Sequence, residues 1–488
     1  MPLLQWGEYR PDISDYEGST TKNILNVIPR GDGYGPFPSF SAYTSALGAT
    51  CRGAFYALKS DGSVVTFAGT STKLYMLNNT DFTWTDVSLG ASTYSALSAN
   101  AQWQWAQFGN LVFATQANAV LQVFDLSSSS AFANCAGSPP QAAYISVVGR
   151  FLVLSGLLSN PYRIQWSGLN ATTTWTSGTN SSDFQDFPDG GIVRGVAGGE
   201  YGIIFQDQSI RRMSYVPGSP LIFQIDRITQ DKGLFAPYSI IRAGEKIFFF
   251  AGQGFHKIEP GGVPEQIGRE KVDRTFLADL DKGHLELFMG AADPRSTKVY
   301  WAYRSANGVN PANYDKILGY DYLLDRFFPL SVTGEFLVGI SQTGLTLENL
   351  DSISSSLDAL TLSLDSYATA VQPQIAQFNN THTLGFFAGT NLEATLESAE
   401  QGTDEQRITI KGFRPITDAS TLYGSVSYRD NPSAAATAGS EVLVNSRTGR
   451  CDLMRDTRYS RFKVRIPAAT TWTFCAGVVP DVTTNGSL

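Results

Sequence analysis

Residues 245–260 read EKIFFFAGQGFHKIEP. The run from Lys246 to Ala251 is apolar and aromatic, Gly252, Gln253 and Gly254 form a glycine turn, and Phe255 and Ile258 mark a second strand. Apolar and aromatic runs divided by such a turn are the signature of a β-hairpin. The chain repeats the unit. Copies begin at Gly62 (GSVVTFAGTSTKLYML), Gly109 (GNLVFATQANAVLQVFDL), Gly149 (GRFLVLSG, then PYRIQWSG), Tyr201 (YGIIFQDQSIRRMSYV), Glu245 and Thr297 (TKVYWAY, then DKILGYDY). A weaker copy, TLGFFAGTNLEATLE, starts at Thr383.

The first six starts are separated by 47, 40, 52, 44 and 52 residues. A short β-like run precedes each, at Ala54, Gln104, Ala142, Ile192, Tyr238 and Leu287. A period of about 40 to 50 residues with several strands per unit is the pattern of propeller blades. One hairpin cannot bury both faces, so the units must stack on one another. The expected fold is therefore all-β: a β-propeller of six or seven blades over residues 41–332, with a last propeller hairpin at 382–404. A tandem of sandwiches is the alternative arrangement. Phe248, Phe249 and Phe250 are expected to pack between blades, buried on both faces.

Composition agrees. The chain has 488 residues, too many for one ordinary core, and is 42% hydrophobic. Only 16% is charged, whereas Phe (30), Tyr (21) and Gly (46) are abundant, which favours aromatic strands and glycine turns over helices. The net charge of -8 argues against a surface that grips duplex DNA, because such affinity comes from cations neutralising phosphates. Cys51, Cys135, Cys451 and Cys475 are scattered without a CxxC, and read as buried thiols in a reducing compartment. MPLLQWGEYRPD at the start has no basic region followed by an apolar run, so no signal peptide is expected. No window approaches the apolar length of a membrane span.

The flanks differ from the repeat. Residues 1–40, with five prolines and the GDGYG of Gly31 to Gly35, read as an extended arm packed on something else. No Lys-Ser or Lys-Thr follows those glycines and Pro36 blocks a helix start, so they are a loop and no phosphate cradle. Residues 333–381 read as an insertion, helix or extended arm, because Leu347, Leu350, Ile353, Leu357, Leu360 and Leu364 keep a helical spacing among cap-favouring polar residues. Residues 405–488 alternate apolar and polar positions between turns, as in a C-terminal antiparallel β-sandwich. Cations gather there. Arg455, Arg458, Arg461, Lys463 and Arg465, with Arg447 and Arg450 before them, are either outward positions of alternating strands or contacts for an acidic partner or nucleic acid.

Chemistry finds no foothold. His256, His284 and His382 are isolated, no HExxH or GxSxG is present, and Ser19-Thr20-Thr21-Lys22 fits SxxK by chance, without SDN or KTG after it. Asp186 and Asp189 lie in a DFPDGG turn, where Asp is locally favoured. TDFTWTDV at Thr80 lacks the glycine and spacing of a sialidase Asp-box. No catalytic, cofactor-binding or metal-binding residue is assigned, and the chain reads as a non-enzyme.

The arm, the aromatic hairpins with FHKIEPGGVPEQIG (Phe255 to Gly268), the LDSISSSLDALTLSLDS insertion and the closing RYSRFKVRIPAATTWTFCAGV resemble tail proteins of short-tailed bacteriophages. They are most similar to the tail nozzle, also called tail tube or packaged-DNA-stabilisation protein. The resemblance implies a structural virion protein of the tail, assembled in the host bacterial cytoplasm into a homo-hexameric ring below the adaptor and portal rings. It further implies docked tail fibres or spikes and transient passage of viral double-stranded DNA through the ring. An acidic balance suits a conduit that must release DNA rather than hold it. The alternatives are a carbohydrate-binding or sialidase-like propeller, or another tail-tip or fibre-attachment protein.

Overall fold

The computed structural model describes residues 3–14, 18–341, 373–402 and 406–487. The hairpin at 245–260 forms: Lys246–Ala251 pairs antiparallel with Gly254–Ile258, with Phe250 opposite Phe255 and Phe249 opposite His256. Successive strand residues point to opposite faces, so the phenylalanine triplet divides between two neighbours. Phe248 and Phe250 turn to one side, against Tyr320, Trp301, Phe276 and Phe288, while Phe249 turns to the other and meets Phe205 at 5.0 Å. All three are fully buried. Burial of one such side chain is worth about 1.5–3 kcal/mol, so inter-blade packing is a principal source of stability.

Ile241–Ala243 and Glu265–Gln266 complete this sheet on its inner and outer edges. Seven four-stranded antiparallel sheets of this kind occur among the described residues. The inner strands of the first six are Ala54–Leu58, Gln104–Phe108, Ala142–Val148, Val193–Ala197, Ile241–Ala243 and Met289–Ala292, each within or overlapping the run that precedes a hairpin copy. The fold is a seven-bladed β-propeller. The seventh blade takes Phe336–Ser341, Pro373–Phe378 and Thr383–Asn391 from late in the chain and Pro38–Ala46 from its beginning as the outer strand. Its inner strand packs against that of the first blade, which closes the ring.

The remaining strands form two sheets packed face to face. One runs Val27–Arg30, Gly33–Pro36, Cys475–Ser487, Gln406–Thr417, Cys451–Thr457, with Leu4–Gln5 also on Cys475–Ser487. The other runs Thr21–Leu25, Ala394–Ser398, Tyr459–Ile466, Tyr423–Arg429, Thr437–Ala438, with Gln401–Gly402 and Val442–Leu443 at its edges. Phe413 of the first and Phe462 of the second meet edge to face at 5.4 Å, inside a core that includes Val426, Val464, Ile410 and Leu396.

Three expected boundaries move. Residues 1–40 are no separate arm, because four of their strands belong to the sandwich and a fifth begins the outer strand of the seventh blade. The segment 333–381 contributes two propeller strands at its ends, and the helical spacing of Leu347 to Leu364 falls in 342–372, outside the described residues. The copy at Thr383 is split: Thr383–Asn391 pairs in the propeller, whereas Ala394–Ser398 pairs with Thr21–Leu25 and Tyr459–Ile466 in the sandwich.

Propeller and sandwich are held together by the early residues. Asp12 caps the helix Asp273–Asp279, accepting from the backbone N–H of Arg274 (2.7 Å) and Thr275 (2.9 Å). Lys271 pairs with Glu8 at 2.7 Å. Asn26 donates to Glu393 O (2.9 Å) and accepts from Ser331 N–H (2.7 Å), tying sandwich to propeller through one amide.

Candidate functional site

The propeller axis is the first place to look for a site, since the inner strands of all seven blades converge on it. They enclose a cavity of about 300 Å³. Its lining is apolar, aromatic or amide, including Phe55, Gln104, Trp105, Tyr144, Tyr238 and Met289, and contains no Asp, Glu, Lys, Arg or His. Burial pushes the Tyr144 phenol up to about 12 and that of Tyr238 higher still, so both stay protonated. The Tyr238 hydroxyl accepts from Gln102 N–H at 3.0 Å, and Gln102 donates its side-chain amide to Glu286 O. A space of this size belongs to the small-molecule range and admits no duplex.

The basic strand of the sandwich is the second place. Tyr459–Ile466 alternates: Phe462, Val464 and Ile466 face the core, and Arg461, Lys463 and Arg465 face outward. Carboxylates from neighbouring strands meet these cations. Arg465 holds Glu441 at 2.7 Å and Glu393 at 2.9 Å and lies over the Tyr423 ring at 4.4 Å. Lys463 is 4.0 Å from Glu441, and Arg461 is 3.9 Å from Glu400, which also takes Arg429 in a two-pronged contact. Both glutamates hold the Arg465 guanidinium above its ordinary value, and that guanidinium holds the Glu441 carboxyl below its own. Arg450 is likewise committed, to Asp452 and Asp481, both at 2.7 Å. Arg455 lies 5.6 Å over Tyr428 and Arg458 gives its backbone N–H to Asp430 at 3.3 Å, but the guanidinium of neither pairs with a carboxylate among the described residues. The structure thus gathers Arg461, Lys463 and Arg465 on one face but spends their charge inside the sheet. Arg455 and Arg458 remain available to an acidic partner.

The isolated acids and histidines also acquire structural partners. Asp186 makes a two-pronged pair with Arg163 at 2.6 and 2.8 Å, and Asp189 takes both Arg211 and Arg227. His284 contacts Glu286 at 3.0 Å. His382 Nδ1 lies 2.6 Å from Glu335, a carboxylate that is 2% exposed and also accepts from Cys51 N–H at 2.9 Å. Burial raises the Glu335 carboxyl above its ordinary value despite those bonds. This latch joins the seventh blade to the loop entering the first, and nothing in the spacing of 51, 335 and 382 announces it. All four cysteines are buried and free, and burial pushes Cys135 and Cys451 up to about 11 and Cys475 to about 12, as thiols rather than thiolates. Among the described residues no cluster of His, Cys, Asp and Glu could hold a metal ion.

No family model matches the chain, and no curated protein matches it. Solved structures resemble it at low identity. The extracellular domain of the hybrid two-component system BT4673 from B. thetaiotaomicron is 10% identical, with a TM-score of 0.40 over 82% of this chain; the chain spans only 47% of that domain. BamB from Moraxella catarrhalis is 11% identical with a TM-score of 0.37, over 79% of this chain and 97% of BamB. The dihydro-heme d1 dehydrogenase NirN is 12% identical with a TM-score of 0.34, over 86% of this chain and 76% of NirN.

Proposed function

We propose that the chain is a structural virion protein, a subunit of the tail nozzle ring of a short-tailed phage, and not an enzyme. The observation that carries the reading is the threading of the two modules. The chain starts in the sandwich, closes the propeller with Pro38–Ala46, runs through the blades and returns to the sandwich at Ala394–Ser398. Neither module can be pulled from the other without breaking sheet hydrogen bonds at both ends, which suits a part that bears load during genome release. The net charge of -8 and the internally neutralised basic strand support a surface that lets DNA slide. In this reading six copies close a ring by repeated heterologous contacts, and the adaptor ring and the fibres or spikes dock on it. Sedimentation velocity with and without an adaptor ring, followed by electron microscopy, tests it. A six-fold ring with a central hole is expected; a chain that stays monomeric at high concentration with the adaptor present would refute it.

A further inference from the structure

Many of the cations and carboxylates of this molecule are engaged with one another, as at Arg163–Asp186, Lys271–Glu8 and Arg465–Glu441. One cavity breaks that habit. It holds about 530 Å³ beside the propeller axis, on the face carrying the blade-to-blade loops, and is built chiefly from the fourth and fifth blades. Arg194 spends only its Nε, on Asp207 at 2.6 Å; its two terminal nitrogens have no protein partner among the described residues. Lys232, Gln208 and Gln253 have no side-chain partner there either. The Tyr144 hydroxyl is similarly unengaged, and its ring leans against that of Tyr238 at 6.1 Å to form an aromatic wall shared with the axis.

His256 adds an independent sign. It is 1% exposed, stacked on Phe249 at 5.5 Å, and its Nδ1 lies 3.0 Å from Gly254 O. A carbonyl can only accept, so Nδ1 carries the proton and Nε2 presents a lone pair. That nitrogen is buried without a partner, and burial lowers the ring's pKa, so the imidazole stays neutral. Buried polar atoms are nearly always satisfied, which makes an orphaned acceptor beside an open cavity informative.

We propose that this cavity is a binding site for a neutral saccharide. Its charges cancel, with Arg194 and Lys232 against Asp207 and Asp231, which disfavours a phosphate or a polycation. Its unengaged groups are a mixture of donors and acceptors, matching hydroxyls that both donate and accept. Its aromatic wall suits the apolar face of a sugar ring. The size falls within the range of small-molecule sites, and a few convergent polar groups on an apolar wall are their usual composition. The inference does not depend on the ring reading above.

Saturation-transfer NMR against the methyl glycosides of glucose, galactose, mannose, N-acetylglucosamine and rhamnose tests it on the full chain, with calorimetry on any that bind. At least one should bind in the millimolar range or tighter. Gln253→Trp, at an exposed turn position, should fill the cavity and weaken binding at least tenfold, about 1.4 kcal/mol. If that variant fails to fold, Lys232→Ala, which removes no hydrogen bond or ion pair among the described residues, should still weaken binding severalfold. No saturation transfer from any glycoside, binding that both variants leave unchanged, or a preference for glucuronate or inorganic phosphate over every neutral glycoside would overturn the proposal.

Discussion

Replacing Asp273 by Asn should make the protein more stable at neutral pH relative to wild type than it is in acid. Asp273 is 6% exposed, at the start of the helix Asp273–Asp279. It accepts from Phe255 N–H at 3.1 Å and from the Gln266 amide at 2.8 Å, and among the described residues no cation pairs with it. Gly254 and Gly268 make the room: a Cβ on either would fall 2.1 or 2.0 Å from a carboxylate oxygen. Gly254 also adopts a φ of +150°, which L side chains rarely take. Burial is the dominant influence on this carboxyl and pushes it from 3.8 up to about 6, against the two hydrogen bonds, with the Asp12 charge raising it further.

A raised carboxyl pKa means that the fold prefers the protonated form. The stabilisation is complete below pH 3.8 and is lost as pH rises through about 6. A shift of this size corresponds to about 3 kcal/mol between the ends of that window. Asn keeps the bond from Phe255 and does not titrate; its amide requires Gln266 to turn over, a cost that is independent of pH. Urea denaturation at a series of pH values from 4 to 7 reads the difference directly. The stability of Asp273→Asn minus that of wild type should rise with pH by about 3 kcal/mol, with most of the change between pH 4 and 6.5. A difference that is flat or falls with pH would refute the assignment of burial as the cause.

Three further outcomes are expected. Asp12→Ala removes the cap that ties the early residues to the propeller helix and should cost about 1 kcal/mol, measured by denaturation, with faster proteolysis of the first strands. Phe249→Ala empties the interface with Phe205 and should cost about 3–5 kcal/mol, read as a lowered urea midpoint. Replacing Arg461, Lys463 and Arg465 together by Gln should leave the salt dependence of any duplex-DNA binding unchanged, because their charge is already neutralised; a shallower log–log salt slope by fluorescence anisotropy would show phosphate contacts there.

The middle hairpins of the first six blades were legible because hairpin pairing is local: the apolar run, the turn and the returning strand sit within one window, as at 245–260. Outer strands such as Ala133–Asn134 and Glu265–Gln266 are two residues long and carry no periodicity to read. The closure of the seventh blade and the sandwich's strands from residues 1–36 and 394–398 were hidden for a different reason. Thr21–Leu25 pairs with Ala394–Ser398, and Tyr34 with Cys475, across hundreds of residues, so each segment alone looks like an extended arm or a spare hairpin. Register in such pairings is set by which face is buried, and that depends on a partner the local sequence does not contain.

The same separation governs the polar surfaces, and it inverts their apparent meaning. Read along the chain, 455–465 is a basic cluster and Arg194, Lys232 and Gln253 are unrelated surface residues. In the fold, glutamates at 393, 400 and 441 arrive beside the cluster and neutralise most of it, while two blades bring the unrelated residues to one cavity and leave Lys232, the Gln253 side chain and the terminal nitrogens of Arg194 without a protein partner among the described residues. Local charge density therefore points to the sheet that needs its ions for itself. Binding capacity lies instead with the groups that folding gathers and does not satisfy, because an unmet hydrogen-bonding group in a partly desolvated site gains most from a ligand. On that criterion the face of the fourth and fifth blades outranks the basic strand as the place where this protein meets a small molecule.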